Sequence, residues 1–262
     1  DAQAITRARR SVNPTVGIVG LGIMGSAMSE NLAQAGFKVI GYDIDAGKTQ
    51  ALAALGGVGA DSPRQVAQQA EVVITVLPSA AILHEVLTAK NGLIAAGNQR
   101  LIVADCGTFE IADKQRCRTA LAAAMIDMLD CTISGTGFQA KTKDLVVYAS
   151  GEESHFARCL SAFSGFARAS HYVGEFGNGS KMKYVANLLV AIHNVAAAEA
   201  MVLAQRAGLD LQTVYELIRI GAGTSRMFEL RAPMMVAGEY GKDVASKLDL
   251  WQKDMLVIGR FA

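Results

Sequence analysis

Val16-Gly17-Ile18-Val19-Gly20-Leu21-Gly22-Ile23-Met24-Gly25 reads as an apolar strand opening into a glycine-rich turn, and a helix-like run from Ser26 to Ala35 follows it. Strand, glycine turn and helix in that order build a site for a dinucleotide pyrophosphate. Gly20 permits the tight turn, Gly22 lets backbone approach the phosphates, and Gly25 lets the helix pack closely on the strand. Leu21, Ile23 and Met24 complete the segment expected against the cofactor. The helix N-terminus adds unpaired N–H groups and a positive dipole end for the anion. Taken alone the motif is weak, because glycine-rich turns are common. A second strand run, Phe37 to Tyr42, strengthens it by ending in Asp43, eighteen residues past Gly25. A carboxylate there accepts hydrogen bonds from the adenosine ribose hydroxyls and repels a 2′-phosphate, which predicts NAD over NADP.

The 262 residues are enough for one large domain or two ordinary ones. Lys plus Arg number 25 against 24 for Asp plus Glu, so no global field favours nucleic acid or a membrane surface. The longest apolar run, Val185 to Leu203, is broken by Asn187, His193, Asn194 and Glu199. It reads as a long buried helix of a protein without a membrane span. Cys106, Cys117, Cys131 and Cys159 have neither C-x-x-C nor metal-ligand spacing, so reduced thiols in a cytoplasmic protein are expected. His84, His155, His171 and His193 lack carboxylate or cysteine neighbours at ligand spacing, and no metal is expected. Residues 1–13 carry Arg7, Arg9 and Arg10 but no apolar core, and are expected to be a disordered leader, not a secretory signal.

Further strand runs are Val72–Val76, Leu101–Asp105, Met125–Leu129, Leu145–Ser150 and Ala169–Val173, with helix-like stretches between them. Continuous apolar strands alternating with helices predict a mainly parallel sheet covered on both faces. Strand patterns stop near Phe176, and the rest is helical and rich in Ala, Leu and Met. The boundary is placed at about residue 177, dividing an α/β dinucleotide-binding domain (14–177) from a helical domain (178–262). Ligand loops in such sheets follow strand ends. Leu77-Pro78-Ser79, Cys106-Gly107-Thr108 and the segment Asp130 to Gly137, DCTISGTG, are expected to be those loops.

Lys183 and Asn187 lie four residues apart after the Gly-Asn-Gly of 177–179, which puts them one turn apart on one helix face. A lysine desolvated near a cofactor cleft can exchange a proton with a substrate hydroxyl, while an amide beside it orients that hydroxyl. Such a pair by itself is more often a solvated helix face.

The glycine segment GLGIMGSAMSENLAQAGF, the run DCTISGTG and the segment GNGSKMKYVANLLVAIHNVAAAEAM resemble the β-hydroxyacid dehydrogenase family. That family contains 3-hydroxyisobutyrate dehydrogenases, tartronate semialdehyde reductases and, more distantly, 6-phosphogluconate dehydrogenase. The similarity runs from about Thr15 to the chain end. It implies a Rossmann-type domain, a long interdomain helix and an all-helical second domain. It also implies NAD(P)-linked interconversion of a small 3-hydroxy acid and its semialdehyde. On this resemblance Leu77, Pro78 and Thr108 face the cofactor, and Ser134, Gly135 and Thr136 hold the substrate carboxylate. Lys183 is the catalytic lysine and Asn187 its paired amide. Lys253, in Lys253-Asp254, reaches the cofactor region, and Phe228 lies near the nicotinamide.

Departures from the family pattern cluster by the substrate pocket. Thr132 replaces a proline, Thr136 a glycine and Ala186 an asparagine, which puts the substrate in doubt more than the reaction. The resemblance also implies further C-terminal helices beyond Ala262. A homo-oligomer, dimer or tetramer, is expected from the apolar helical domain. The alternatives are a catalytically silent dinucleotide-binding protein, and an imine reductase on the same fold.

Overall fold

A computed structural model describes residues 13–238 and 248–262; the expected leader, all but Asn13 of it, lies outside the described residues. The chain forms two compact units, the first ending at Lys183 and the second beginning at Tyr184.

The first unit is an eight-stranded sheet whose order, β3-β2-β1-β4-β5-β6-β7-β8, reverses direction between β1 and β4. Its strands are β1 (Val16–Val19), β2 (Val39–Tyr42), β3 (Val58–Gly59), β4 (Val72–Thr75), β5 (Ile102–Asp105), β6 (Asp127–Ser134), β7 (Val146–Ser150) and β8 (Ala169–Tyr172). Every pairing is parallel except β6 with β7. Successive strand residues point to opposite faces, and this sorts the core. Val16, Ile18, Val72, Ile74, Ile102 and Ala104 share one buried cluster with Met28 and Leu32 of α1 (Ile23–Gln34) and Phe163 and Phe166 of α7 (Glu153–Phe166). Val19, Val73, Leu101 and Val103 share the other with Val66 of α3 (Pro63–Gln69), Leu83 and Leu87 of α4 (Ala80–Thr88), and Leu121 of α5 (Ile111–Ala123). Burial on both faces is why these strands read as continuous apolar runs. Two short helices, α2 (Ala46–Ala54) and α6 (Gly137–Lys141), complete the layers.

Two sequence expectations are corrected. The two-residue strand β3 was missed; both its residues are exposed, so no apolar pattern marks it. The segment Asp130–Ser134, expected as a loop, continues β6: Asp130 through Ser134 pair with Ser150 through Val146 of β7. Only Gly135 and Thr136 turn between β6 and α6.

Helix α8 (Asn178–Arg206) begins in the first unit and continues into the second. The second unit adds α9 (Leu211–Ile218), α10 (Arg226–Ala237) and α11 (Leu248–Phe261). Its core gathers Ala197, Met201 and Ala204 of α8, Val214 of α9, and Phe228 and Ala232 of α10. Tyr184 and Phe261 pack ring to ring at 5.1 Å, joining α8 to α11. By length and composition α8 is apolar enough to cross a membrane, and Val185, Leu188, Leu189, Ile192 and Val195 are exposed along it.

Leu32→Ala removes a fully buried side chain from the first core, and is expected to cost about 2–5 kcal/mol, read as a lower denaturation midpoint in urea. Ile44→Ala, at a side chain 92% exposed, is expected to change stability by less than about 0.5 kcal/mol.

Candidate active site

The glycine turn lies where the strand order reverses, the place at which open α/β sheets bind ligands. Gly20 has φ +95°, and a Cβ there would meet the Val76 carbonyl oxygen at 2.2 Å. A Cβ at Gly25 would meet the Gly20 carbonyl oxygen at 1.9 Å, so only glycine lets α1 start this close to β1. At Gly22 a Cβ would meet nothing within 4 Å, which leaves open space beside the backbone. Side chains cap α2, α3, α4, α6, α9 and α10; α1, α5 and α7 have no side-chain cap, and at α1 the cap position is Gly22, which has no side chain to supply one. A helix start without a side-chain cap beside open space suits a pyrophosphate. Asp43, at the end of β2, accepts the Leu21 N–H at 2.7 Å through Oδ2 and the Asp45 N–H at 3.0 Å through Oδ1. The carboxylate expected at the ribose therefore also ties β2 to the glycine turn.

A buried polar row crosses the sheet at the last residues of β4, β5 and β7 and midway along β6. Thr75 of β4 pairs with Asp105 of β5, Asp105 with Asp130 of β6, and Asp130 with Ser150 of β7. All four are fully buried. Thr75 Oγ1 donates to Asp105 Oδ1 at 2.7 Å. From α5, Lys114 places Nζ 2.9 Å from Asp105 Oδ2 and 2.7 Å from Asp130 Oδ1. Burial works against the Lys114 charge, but the two carboxylates outweigh it and raise the ammonium above the ordinary lysine range. Asp130 Oδ2 accepts the Ser180 N–H at 2.7 Å, and Oδ1 accepts the Ser180 hydroxyl at 3.1 Å. Burial, with Asp105 next to it, pushes the Cys106 thiol well above the usual thiol range, which makes it a packing group and not a nucleophile.

The expected substrate segment lies at the end of β6. Ser134 and Gly135 are half-buried. Gly135 has φ +137°, and a Cβ there would meet Leu145 Cδ2 at 2.5 Å. Thr136 is the N-cap of α6: its hydroxyl accepts the Gln139 N–H, and its own N–H donates to Gln139 Oε1 at 3.0 Å. The hydroxyl expected to bind a carboxylate is thus engaged in a capping box. Leu77 is half-buried, Pro78 exposed and Thr108 buried, all just past strand ends.

Lys183 and Asn187 are both half-buried on α8. Asn187 Nδ2 donates to Asp254 Oδ2 of α11 at 2.7 Å, and Lys253 Nζ lies 3.1 Å from Asp254 Oδ1. The structure therefore gathers Asn187, Lys253 and Asp254 in the second unit. Phe228 is 3% exposed. Its ring packs 6.0 Å from that of Tyr215 within the core of the second unit.

Sequence reasoning missed Lys114, Asp105 and the pairing of Asp130. A charge closing an apolar strand run was the available signal for the two aspartates. Nothing local separates Lys114 from Arg116 or Arg118 on the same helix.

Residues 15–174 match the family model described as the NAD binding domain of 6-phosphogluconate dehydrogenase, and residues 177–262 match that described as NAD-binding of NADP-dependent 3-hydroxyisobutyrate dehydrogenase. An L-threonate dehydrogenase of Escherichia coli is 33% identical over 92% of this chain and 80% of its own length. Glyoxylate/succinic semialdehyde reductase 1 of Arabidopsis thaliana is 30% identical over 92% of this chain and 82% of its own. The crystal structure of a 3-hydroxyisobutyrate dehydrogenase from Salmonella typhimurium is 32% identical with a TM-score of 0.84, covering 95% of this chain and 87% of that one.

Lys114→Met strands two buried carboxylates and is expected to destabilise by about 3–5 kcal/mol in thermal or chemical unfolding. Because the folded-state pKa of Lys114 is raised, its contribution is complete below the unfolded value and is lost as pH rises toward the folded one. The difference between wild type and Lys114→Met is therefore expected to hold through neutral pH and narrow above about pH 10.4.

Proposed function

The chain belongs to the β-hydroxyacid dehydrogenase family, and from that premise we propose that it interconverts a small 3-hydroxy acid and its semialdehyde or oxo acid, with Lys183 as general acid and base. It is an oxidoreductase with an NAD(P)-binding domain. The observation that carries the proposal is the pair Lys183 and Asn187, half-buried and one turn apart on α8.

The residues fit a dinucleotide: the open space at Gly22 and the uncapped start of α1 suit its pyrophosphate, and Asp43 closes β2 where the ribose would lie. When bound, the dinucleotide supplies the hydride acceptor or donor. Lys183 takes the proton from the substrate hydroxyl during oxidation and returns it to the oxygen during reduction. One N–H of the Asn187 amide is fixed by Asp254, which leaves the other to donate to the substrate oxygen. Ser134 and Gly135 hold the carboxylate, and Thr136 fixes the turn through its capping box. In this reading Lys253 and the loops at Leu77, Pro78 and Thr108 line the cofactor, and the functional division follows 14–177 and 178–262. NAD is the preferred cofactor, supported by Asp43 and by the absence of any Lys or Arg between it and Gly47.

The exposed apolar face of α8 is covered by a second copy in a homo-oligomer, with Asn187, Asn194 and Glu199 speaking against lipid contact. A cytoplasmic setting is supported by four buried free cysteines.

The test follows reduced-nicotinamide absorbance over a panel of 3-hydroxy acids. Lys183→Ala is expected to lower kcat by about 10²–10⁴-fold and to leave dinucleotide affinity unchanged, with kcat/KM higher for NAD than for NADP. Full turnover in Lys183→Ala would sink the proposed role, and dinucleotide binding without turnover on any substrate would favour a silent binding protein. Separately, Gly22→Ala is expected to keep its Tm and lose dinucleotide affinity in calorimetric titration, because its methyl enters only the open space. Gly25→Ala is expected to lose both.

A further inference from the structure

The network around Asp130 has a feature that stability alone does not account for: it ends on the first turn of α8. Of the first N–H groups of that helix, Gly179 donates to Ser150 Oγ at 2.9 Å and Ser180 to Asp130 Oδ2 at 2.7 Å. The Gly179 carbonyl oxygen accepts the Thr132 hydroxyl at 2.6 Å, and the Ser180 hydroxyl reaches Asp130 Oδ1. A Cβ at Gly179 would meet the carbonyl oxygens of Asp130 and Tyr148 at 2.6 Å each, so the turn rests directly on the backbone of β6 and β7. Thr132 and Ser180 are fully buried. The helix start is thereby fixed both along its axis and in rotation about it, by side chains from two strands.

Lys183 is three residues beyond Ser180, one helical turn away on the same side, and it belongs to the first unit with the whole network. The cluster holds two carboxylates and one ammonium, Asp105, Asp130 and Lys114, so a negative charge remains after pairing. The positive end of α8 lies against that charge. The seated helix start offsets part of that charge.

We propose that Asp130 and Ser180 are positioning residues for Lys183, seating the first turn of α8 on the sheet so that the lysine is presented to the substrate at a fixed height and rotation. The proposal rests on the reading of Lys183 as the proton-transfer group. Asp130 touches neither substrate nor cofactor in it, and acts through Ser180. Lys114 and Thr75 serve by holding the two carboxylates in place.

The test uses the full chain as Ser180→Ala and Asp130→Asn, with Lys183→Ala in the same series. Both positioning variants are expected to lower kcat by about tenfold to a hundredfold while the dinucleotide Kd stays at its wild-type value. A second readout needs no substrate: lysines are reductively ¹³C-methylated, and the Lys183 resonance is assigned by its loss in Lys183→Arg. That resonance is expected to shift in both variants. Should Asp130→Asn fail to fold, Ser180→Ala decides alone, because it keeps both carboxylates and Lys114. An unmoved Lys183 resonance with unchanged kcat overturns the proposal. So does a fall in kcat matched by an equal loss of dinucleotide affinity, which would make the network a support of the sheet only. Ser180→Ala at full rate beside a silent Lys183→Ala overturns the positioning and leaves the lysine's role intact. Full turnover in Lys183→Ala overturns both.

Discussion

A carboxylate removed from water must be paired, and Asp130 meets that requirement from three directions at once. Lys114 comes from one helix, Ser180 from the start of another, and Ser150 from the neighbouring strand. Taking such a group out of solvent costs several kcal/mol, and only dense pairing offsets it. The pairing also restricts geometry. α5, β7 and the first turn of α8 each supply a partner, so moving any of them would leave a buried carboxylate less well paired. The first turn of α8, three residues before Lys183, is tied to this network.

The same buried row runs across the sheet from beside the glycine turn to the start of α8. Thr75 pairs with Val19, the residue before the glycine turn, and the row then runs through Asp105 and Asp130 to Ser150. At one end the backbone turns tightly at Gly20 and leaves open space at Gly22. At the other, Gly179 lets α8 start against the strand backbone. Parallel strands place all their C-terminal ends on one edge, and the glycine turn after β1 lies there. The antiparallel pairing of β6 with β7 brings Ser150 level with Asp130, which an all-parallel continuation would not do.

The second unit holds a polar pairing of its own. Asn187 is held by Asp254, whose other oxygen lies beside Lys253. An amide can rotate to present either end, and the bond to Asp254 fixes its orientation. Phe228, by contrast, belongs to the core of this unit, where the ring packs on Tyr215.

Much of the fold was legible in local pattern. Short apolar runs separated by helical stretches gave the parallel sheet, because a strand buried on both faces has no polar alternation to show. The glycine turn and Asp43 were legible because backbone closeness and positive φ admit few residues other than glycine. β3 escaped because two exposed residues carry no periodic signal, and Asp130–Ser134 was misread because a polar strand looks like a loop until its pairing partner is known. Lys183 and Asn187 were visible as a spacing, but spacing does not tell a solvated face from a site. Only the tertiary structure decided that Asp105, Lys114, Asp130 and Ser180 converge, since they lie as much as 75 residues apart in sequence and are joined by strand register and helix docking. Local sequence determines which residues can turn, pair or bury; which charges share a buried space is set by how distant elements pack.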